Sequence, residues 1–267
     1  MKVLIIGFGN MGRTYARGFL SSRFVSPQDL YILDKVSQQA EAAVINIPED
    51  HIHYEPGDYI TDADIIILAV KPQDFPPLAA GIKPFIRPHQ VILSVMAGVR
   101  VASIIESTGA DKVVRCMPNL PAQVGMGMTV FTATPHMDMK ELFIVQNLIN
   151  TTGKSLHVED EPLIDAATAI SGSGPAYVFF FMQSMIQTAV TMGFSPSEAE
   201  LLVQQTVLGA VHLQSKGDNT CAEWISRVAS RGGTTEAALR VFESANTKEG
   251  IHDALFAALN RAKELGS

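Results

Sequence analysis

Cysteine is scarce in this sequence, and the two that occur do not define a site. Cys116 and Cys221 lie far apart in the 267 residues and form no CxxC motif. The seven histidines are also scattered along the chain. A disulfide framework needs several cysteines, and a zinc site needs closely spaced cysteine or histidine ligands. The sequence therefore predicts neither a disulfide-stabilised fold nor a bound metal.

Positive charge is also in short supply, with 20 Lys and Arg residues against 27 Asp and Glu and a formal net charge of -7. Proteins that bind nucleic acid or anionic membranes usually carry a basic surface. We therefore expect neither nucleic-acid nor membrane partners. The apolar start, MKVLIIG, runs directly into a glycine-rich motif without a cleavage signal, so we interpret it as structural and expect a cytoplasmic protein.

Charged residues are missing altogether between Asp165 and Glu198. This segment contains an aromatic cluster, Tyr177, Phe179, Phe180 and Phe181. A membrane helix needs about 20 predominantly apolar residues in succession, whereas polar side chains interrupt this one at Gln183, Ser184, Gln187 and Thr188. A helix that is apolar on nearly every side must be covered on every side. We predict that it is buried in a subunit interface and that the chain is at least a dimer.

Hydrophobic residues, by contrast, make up 47% of the chain, which is enough for sizeable cores. Short apolar runs alternate with helical or turn-rich stretches, as is typical of a parallel, doubly wound sheet; they cover residues 3–6, 30–33, 65–70, 91–95 and 113–116. Two further strands, 128–132 and 155–158, flank a helix at 139–151 and would extend that sheet.

After Glu159 only helical patterns follow, at residues 162–170, 175–192, 196–214, 222–228, 234–244 and 248–265. The predicted fold class is α/β, with an N-terminal Rossmann-type doubly wound sheet followed by an all-helical C-terminal domain. We place the first domain at residues 1–159 and the second at 160–267.

A dinucleotide-binding motif, GxGxxG, follows the first predicted strand and opens the first predicted helix. Gly7 permits the tight turn, Gly9 lets the backbone approach a pyrophosphate, and Gly12 allows close packing of the helix on the sheet. The helix start then offers free N–H groups to the anion. A glycine-containing turn without a ligand is the alternative. The predicted cofactor-binding residues here are Gly7, Phe8, Gly9, Asn10, Met11 and Gly12.

Other residues at the ends of predicted strands would line the same crevice. Asp34 ends the second strand, where an acidic residue commonly binds the ribose 2′-hydroxyl and favours NAD. Lys35 could instead meet a 2′-phosphate, so NADP stays open, and a solvated loop is the alternative for both residues. The loops after the next strands add Ala69, Val70, Lys71 and Pro72, and then Val95, Met96 and Ala97.

A second cluster, SRGGTT at residues 230–235, precedes a helical pattern. Two glycines and several hydroxyls at a helix start provide N–H and O–H donors that suit a carboxylate. An ordinary helix cap made by Thr234 is an equal alternative. A third segment, SGSGP at 171–175, indicates a helix start with proline in the first turn. It lacks the GxSxG pattern of a hydrolase.

Together these motifs resemble one family. GFGNMG, AVKP, RCMPNLPA, AISGSGPAYVF, SRGGTTEAAL and ALNRAKEL occur in the order found in pyrroline-5-carboxylate reductases, and the similarity spans almost the whole chain. The resemblance implies a Rossmann domain, a helical dimerisation domain, NADPH or NADH as cofactor, and dimers that often assemble into larger rings. It implies reduction of 1-pyrroline-5-carboxylate to L-proline.

The resemblance also implies roles for the second cluster. Ser230, Gly232, Gly233, Thr234 and Thr235 would hold the substrate carboxylate, and Thr235 would face the ring nitrogen as the catalytic residue. No strong acid or base is needed, because the iminium form of the substrate already carries the proton on nitrogen.

Three positions depart from the family pattern: Arg231 replaces a usual proline, Leu120 a common threonine, and Pro56 a frequent asparagine near the adenosine ribose. Arg231 changes the stiffness and charge of the loop beside the predicted carboxylate site. Two alternatives therefore stay open, a reductase of another imino or oxo acid and a catalytically silent nucleotide-binding paralogue.

Overall fold

The structure, a computed structural model, describes residues 1–36 and 45–266. Its strands are β1 (Val3–Ile6), β2 (Leu30–Leu33), β3 (Ile52–His53), β4 (Ile65–Leu68), β5 (Val91–Ser94), β6 (Lys112–Met117), β7 (Gly127–Ala133) and β8 (Gly153–His157). Its α-helices are α1 (Asn10–Ser21), α2 (Phe75–Ile82), α3 (Val101–Thr108), α4 (Met139–Asn150), α5 (Pro162–Ala167), α6 (Gly174–Thr191), α7 (Pro196–Lys216), α8 (Cys221–Val228), α9 (Thr234–Ser244) and α10 (Thr247–Leu265).

The strands form one sheet in the order β3-β2-β1-β4-β5-β6-β7-β8. Strand β1 is an inner strand, with Val3 opposite Leu30 of β2 on one side and Ile65 of β4 on the other. All residues of β1, β4 and β5 are buried. Such continuous apolar strands are typical of a parallel sheet that is covered on both faces. The order reverses between β1 and β4, which is the switch point where ligands bind in such sheets.

Successive residues of β1 supply two different cores, because side chains alternate across a strand. Val3 and Ile5 pack with Phe19 of α1 and with residues of α4 on one face. Leu4 and Ile6 pack with residues of α2 and α3 on the other. The predicted doubly wound sheet is therefore confirmed in its layers.

One strand pairing differs from a wholly parallel arrangement. β7 runs antiparallel to β6, with Cys116 opposite Phe131, and β8 then runs parallel to β7. A short connection, residues 118–126, joins β6 to β7, and a parallel pairing would have required a crossover of a dozen residues or more. The two added strands do extend the sheet, as predicted.

The described residues divide into two compact units, residues 1–173 with 258–267, and residues 174–257. α5 belongs to the first unit, because Arg115 of β6 pairs with Glu161 at 3.0 Å and with Asp165 of α5 at 2.7 Å. The predicted division at Asp160 marks where strands give way to helices, and as a domain boundary it stays a prediction.

The second unit is built from helices, in agreement with the sequence. α6 has no buried residue among those described, and its Val178, Phe179, Phe180 and Phe181 are each about half exposed. In residues 1–36 and 45–266, no helix combines the length and the apolar character that a bilayer crossing requires.

Candidate active site

The glycine motif occupies the turn between β1 and α1 at the switch point. A Cβ on Gly7, whose φ is +93°, would lie 2.7 Å from the Ala69 carbonyl oxygen, and a Cβ on Gly12 would lie 2.1 Å from that of Gly7. A Cβ on Gly9 would meet nothing within 4 Å. Packing therefore requires Gly7 and Gly12, whereas Gly9 borders open space at the helix start. No side chain caps α1, so its first turn offers backbone N–H groups.

Asp34 connects this turn to the end of β2. Its Oδ2 accepts a hydrogen bond from the Phe8 amide at 2.6 Å, and its Oδ1 accepts one from the Val36 amide at 2.9 Å. The Gly7 amide in turn donates to the Leu33 carbonyl at 2.8 Å. The carboxylate is thereby fixed in position beside the glycine turn, which a purely solvated loop would not provide.

A cavity of about 690 Å³ opens at this point. Seven of the predicted cofactor-binding residues line it: Gly7, Gly9, Asp34, Lys35, Ala69, Val70 and Lys71. The cavity is also lined by Pro56, which the sequence marked as a departure near the ribose, and by residues that the sequence did not predict as contacts: Tyr54, Glu55, Pro77, Leu78 and Gly81. These residues come from short turns and from one helix face, and no motif marks them.

The remaining predicted cofactor-binding residues lie outside the lining of that cavity: Phe8, Asn10, Met11, Gly12, Pro72, Val95, Met96 and Ala97. Phe8 and Met96 are buried and pack in the two cores, so their side chains face away from a ligand. The Asn10 side chain accepts a hydrogen bond from Arg13 at 3.3 Å. Their role in cofactor binding stays a prediction.

The second cluster, residues 230–235, forms a tight turn before α9. Gly232 has a φ of +72°, and the Gly233 amide donates to the Ser230 carbonyl at 3.0 Å. Gly233 occupies the N-cap position and no side chain caps the helix. The alternative of a Thr234 cap is therefore wrong, because Thr234 is already the first helical residue.

Glu236 is a residue of this turn that sequence reasoning missed. Its carboxylate accepts hydrogen bonds from the Gly232 amide and, at 2.5 Å, from Arg240. Donation from the Gly232 amide, followed by that from Arg240, holds the pKa of Glu236 below its ordinary value. The neighbouring Arg231 is exposed on the surface.

Ser171, the first residue of SGSGP, contacts the RCMPNLPA segment inside the first unit. The Asn119 side-chain amide donates to the Ser171 carbonyl at 3.2 Å and to its hydroxyl at 3.3 Å, and its oxygen accepts from the Met128 amide at 2.9 Å. A π-helical turn, Thr168–Gly172, precedes α6, whereas the sequence predicted an α-helix up to residue 170 and a new helix start at 171–175. Such turns are frequent at functional sites.

The strand order around the switch point and the glycine turn beside Asp34 define a dinucleotide-binding protein of the Rossmann class. Comparison with known proteins narrows the class. Residues 161–265 match the family model for pyrroline-5-carboxylate reductase dimerisation, and residues 2–98 match the model described as NADP oxidoreductase, coenzyme F420-dependent.

Relatives that align over the whole chain belong to the same family. The chain is 34% identical to the pyrroline-5-carboxylate reductase of Pseudomonas aeruginosa, over 99% of this chain and 96% of the relative. The structure resembles the pyrroline-5-carboxylate reductase from Coxiella burnetii, with a TM-score of 0.91, 30% identity, and coverage of 100% of this chain and 98% of that one.

It also resembles Plasmodium falciparum pyrroline carboxylate reductase with NADP bound, with a TM-score of 0.87, 28% identity, and coverage of 100% and 98%. The chain belongs to the pyrroline-5-carboxylate reductase family, and its second half carries the dimerisation domain of that family.

Proposed function

We propose that the chain reduces the C=N bond of 1-pyrroline-5-carboxylate to give L-proline, the last step of proline synthesis, with NADPH or NADH as reductant. The observation that carries this proposal is family membership over the full length, at 34% identity to a relative that bears this activity in its name. The glycine turn supports it, because a reductase of this kind needs a dinucleotide site.

The residues around the switch point fit a dinucleotide. The open space at Gly9 and the uncapped start of α1 suit a pyrophosphate, since free amides at a helix start bind anions. Asp34 suits a ribose diol, and the apolar wall beyond it, which includes Pro56 and Leu78, suits a flat base. When bound, the reduced nicotinamide supplies a hydride to the imine carbon.

The second unit would bind the substrate. The turn formed by Ser230, Gly232, Gly233, Thr234 and Thr235 offers amides and hydroxyls to the carboxylate, as a helix start without a side-chain cap can. Half-buried Thr235 accepts a hydrogen bond from the iminium N–H through its hydroxyl oxygen and retains the proton on the ring nitrogen. The substrate needs orientation more than acid–base catalysis, since its iminium form is already protonated.

The dimerisation domain makes the protein a dimer, and we propose that dimers assemble further into a ring. The half-exposed aromatic side chains of α6 support an oligomer, because a face of this kind is unfavourable in water. We further propose a cytoplasmic location without nucleic-acid partners. Cys221 is exposed and unpaired, which suits a reducing compartment, and the net charge of -7 disfavours nucleic acid.

The test is oxidation of NADH and NADPH by the purified protein in the presence of 1-pyrroline-5-carboxylate, with proline identified as product. Other cyclic imino acids and 2-oxo acids serve as control substrates. Turnover of the pyrroline at a kcat/KM well above the controls supports the proposal. Dinucleotide binding without any turnover would instead leave a silent paralogue.

A further inference from the structure

The carboxylate of Asp34 lines the cavity at the switch point and is fixed in position by the backbone. Both of its oxygens are held by backbone amides, at 2.6 Å from Phe8 and 2.9 Å from Val36, so it cannot swing away without breaking them. From this geometry we infer that Asp34 selects NADH over NADPH. The inference rests on the proposed function only in taking the ligand to be a nicotinamide dinucleotide.

Asp34 lies where the adenosine ribose of a bound dinucleotide would lie. It ends β2, directly beside β1 and its glycine turn, and an acidic residue at this point accepts hydrogen bonds from the ribose hydroxyls. Each carboxylate oxygen has two acceptor sites, and the backbone amides occupy one on each. Asp34 can therefore bind a diol while it stays tied to the glycine turn.

A phosphate on the ribose 2′-oxygen would add up to ~2 negative charges beside the Asp34 carboxylate. Two anions at hydrogen-bond distance repel strongly in a partly buried site, and the fixed geometry of Asp34 prevents relief by movement. NADPH binding would then require cations close by.

Neither lysine that lines this cavity is held beside the Asp34 carboxylate. Lys35 is 73% exposed and its Nζ lies 4.0 Å from the Asp74 carboxylate. Lys71 follows β4, which lies on the far side of β1 from β2, so its backbone is about 10 Å from that of Asp34 at ordinary strand spacing.

Arginine, the usual partner of a 2′-phosphate, does not occur among the described residues that line the cavity. Residues 37–44, which lie outside the described part of the chain, contain neither lysine nor arginine in their sequence. The lining adds a further carboxylate, Glu55. The charges around Asp34 therefore favour a ribose with a free 2′-hydroxyl.

Direct binding tests the inference without reference to turnover. We expect calorimetric titration of the parent protein to give a Kd for NADPH at least about tenfold above that for NADH. The same order is expected for the adenosine halves alone, with 5′-AMP bound more tightly than adenosine 2′,5′-bisphosphate. Equal or tighter binding of NADPH would overturn the inference.

Variants of Asp34 then test whether this residue causes the preference for NADH. Asp34→Asn keeps the size of the side chain and removes its charge, and we expect it to reduce the NADPH-to-NADH ratio of Kd values by at least about fivefold. Asp34→Ser should act in the same direction. Glu106→Gln is the matched control, since it removes an exposed charge from α3 outside the cavity lining, and its ratio should stay within about twofold of the parent.

An unchanged ratio in a folded Asp34→Asn protein would overturn the assignment, with the thermal midpoint as the check on folding. Failure of the proposed function has a different signature. In that case NADH would still bind more tightly than NADPH, but 1-pyrroline-5-carboxylate would not be reduced with either. A protein that binds neither dinucleotide contradicts both.

Discussion

Thr235 is the side chain on which the proposed chemistry depends most directly. Replacing it by alanine removes the hydroxyl that we place at the ring nitrogen and leaves the helix start otherwise unchanged. A hydrogen bond to a charged group contributes about 1.5–3 kcal/mol, and each 1.4 kcal/mol is a factor of ten. We expect Thr235→Ala to lower kcat/KM about 10- to 100-fold in a steady-state assay.

Thr235→Ser provides the control, because it retains the hydroxyl and loses only a methyl group. It should keep most of the activity. An alanine variant with the parent kcat/KM would show that Thr235 does not act on the substrate.

Glu236 is expected to position the turn that binds the substrate carboxylate. Its hydrogen bond from the Gly232 amide holds a glycine with a φ of +72° in the turn, and the Thr234 and Thr235 amides at the helix start have no acceptor within the helix. Glu236→Gln weakens this contact, because a neutral amide oxygen is a poorer acceptor than a carboxylate. We expect KM for the pyrroline to rise several-fold, about threefold to tenfold, with a smaller change in kcat.

The comparison for Glu236 is Glu200→Gln, which removes an exposed carboxylate from α7 of the same unit. That variant should leave KM unchanged. A fall in kcat with constant KM in Glu236→Gln would argue against a positioning role, and so would an equal effect of both variants.

The sequence predicts residues that the backbone conformation requires, such as the glycines of the motif. It misses contacts between residues that come together only in the folded chain. The separate demands on Gly7, Gly9 and Gly12 follow from the motif alone, and the structure meets each of them. Phe8 was predicted as a cofactor contact, yet its side chain lies in the core and its amide serves Asp34. The Asp34 contact joins two strand ends, and nothing in the spacing of the residues indicates it.

At the scale of elements, Arg115 is the link between the sheet and the helix that follows it. Its guanidinium is 3% exposed and pairs with Glu161 and with Asp165, whose side chain is 7% exposed. Glu161 also accepts a hydrogen bond from the Val101 amide at the start of α3, at 2.9 Å. One cation therefore connects β6, α5 and α3.

Arg115→Met would leave the buried carboxylate of Asp165 without its partner. Removing one member of a buried pair costs about 3–5 kcal/mol. We expect the free energy of unfolding of the first unit, followed by urea denaturation, to fall by an amount in this range. Arg261→Met, which breaks an exposed pair with Glu264, should cost no more than about 1 kcal/mol.

The double variant Arg115→Met with Asp165→Leu is the decisive comparison, because it removes the unpaired charge as well. Its stability should recover most of the loss, since apolar replacements of buried ion pairs are often neutral. If the single variant is as stable as the parent, the pair does not hold these elements together.

Element types are largely predictable here because hydrophobic periodicity records them. The run at 30–33 and the helix at 234–244 match the structure residue for residue, as Leu30–Leu33 and Thr234–Ser244. β4 ends at Leu68 and β5 at Ser94, earlier than predicted, because Val70 and Val95 are apolar residues of the following loops. Hydrophobic periodicity does not indicate the direction of β7 or the π-helical turn, because both depend on how the folded chain packs.

For the molecule as a whole, the end of the chain returns to the first compact unit. α10 begins in residues of the second unit and ends in the first. There the Leu265 carbonyl oxygen lies 2.5 Å from where a Cβ on Gly98 would be, and the Arg100 Nε donates to the Gly266 carbonyl at 2.9 Å. Sequence patterns indicate α10 itself but not this contact, which joins residues far apart in the chain.

The exposed apolar face of α6 leads to the prediction that belongs to the whole molecule. Phe180 is 64% exposed although its helix carries no charge, and the dimerisation domain explains why such a surface exists. A large aromatic side chain at an interface hot spot contributes about 2 kcal/mol or more, which is about a 30-fold change in affinity. We expect light scattering to show a dimer or a larger ring for the parent protein and a shift towards monomer for Phe180→Glu at micromolar concentration.

Met139→Glu is the matched control for Phe180→Glu. It places the same charge on a side chain that is 83% exposed, but in α4 of the first unit. Because α4 lies outside the dimerisation domain, this variant should retain the parent mass. If Phe180→Glu remains folded by circular dichroism and still scatters as the parent assembly does, α6 does not form the interface, and the half-exposed aromatic residues require a different partner.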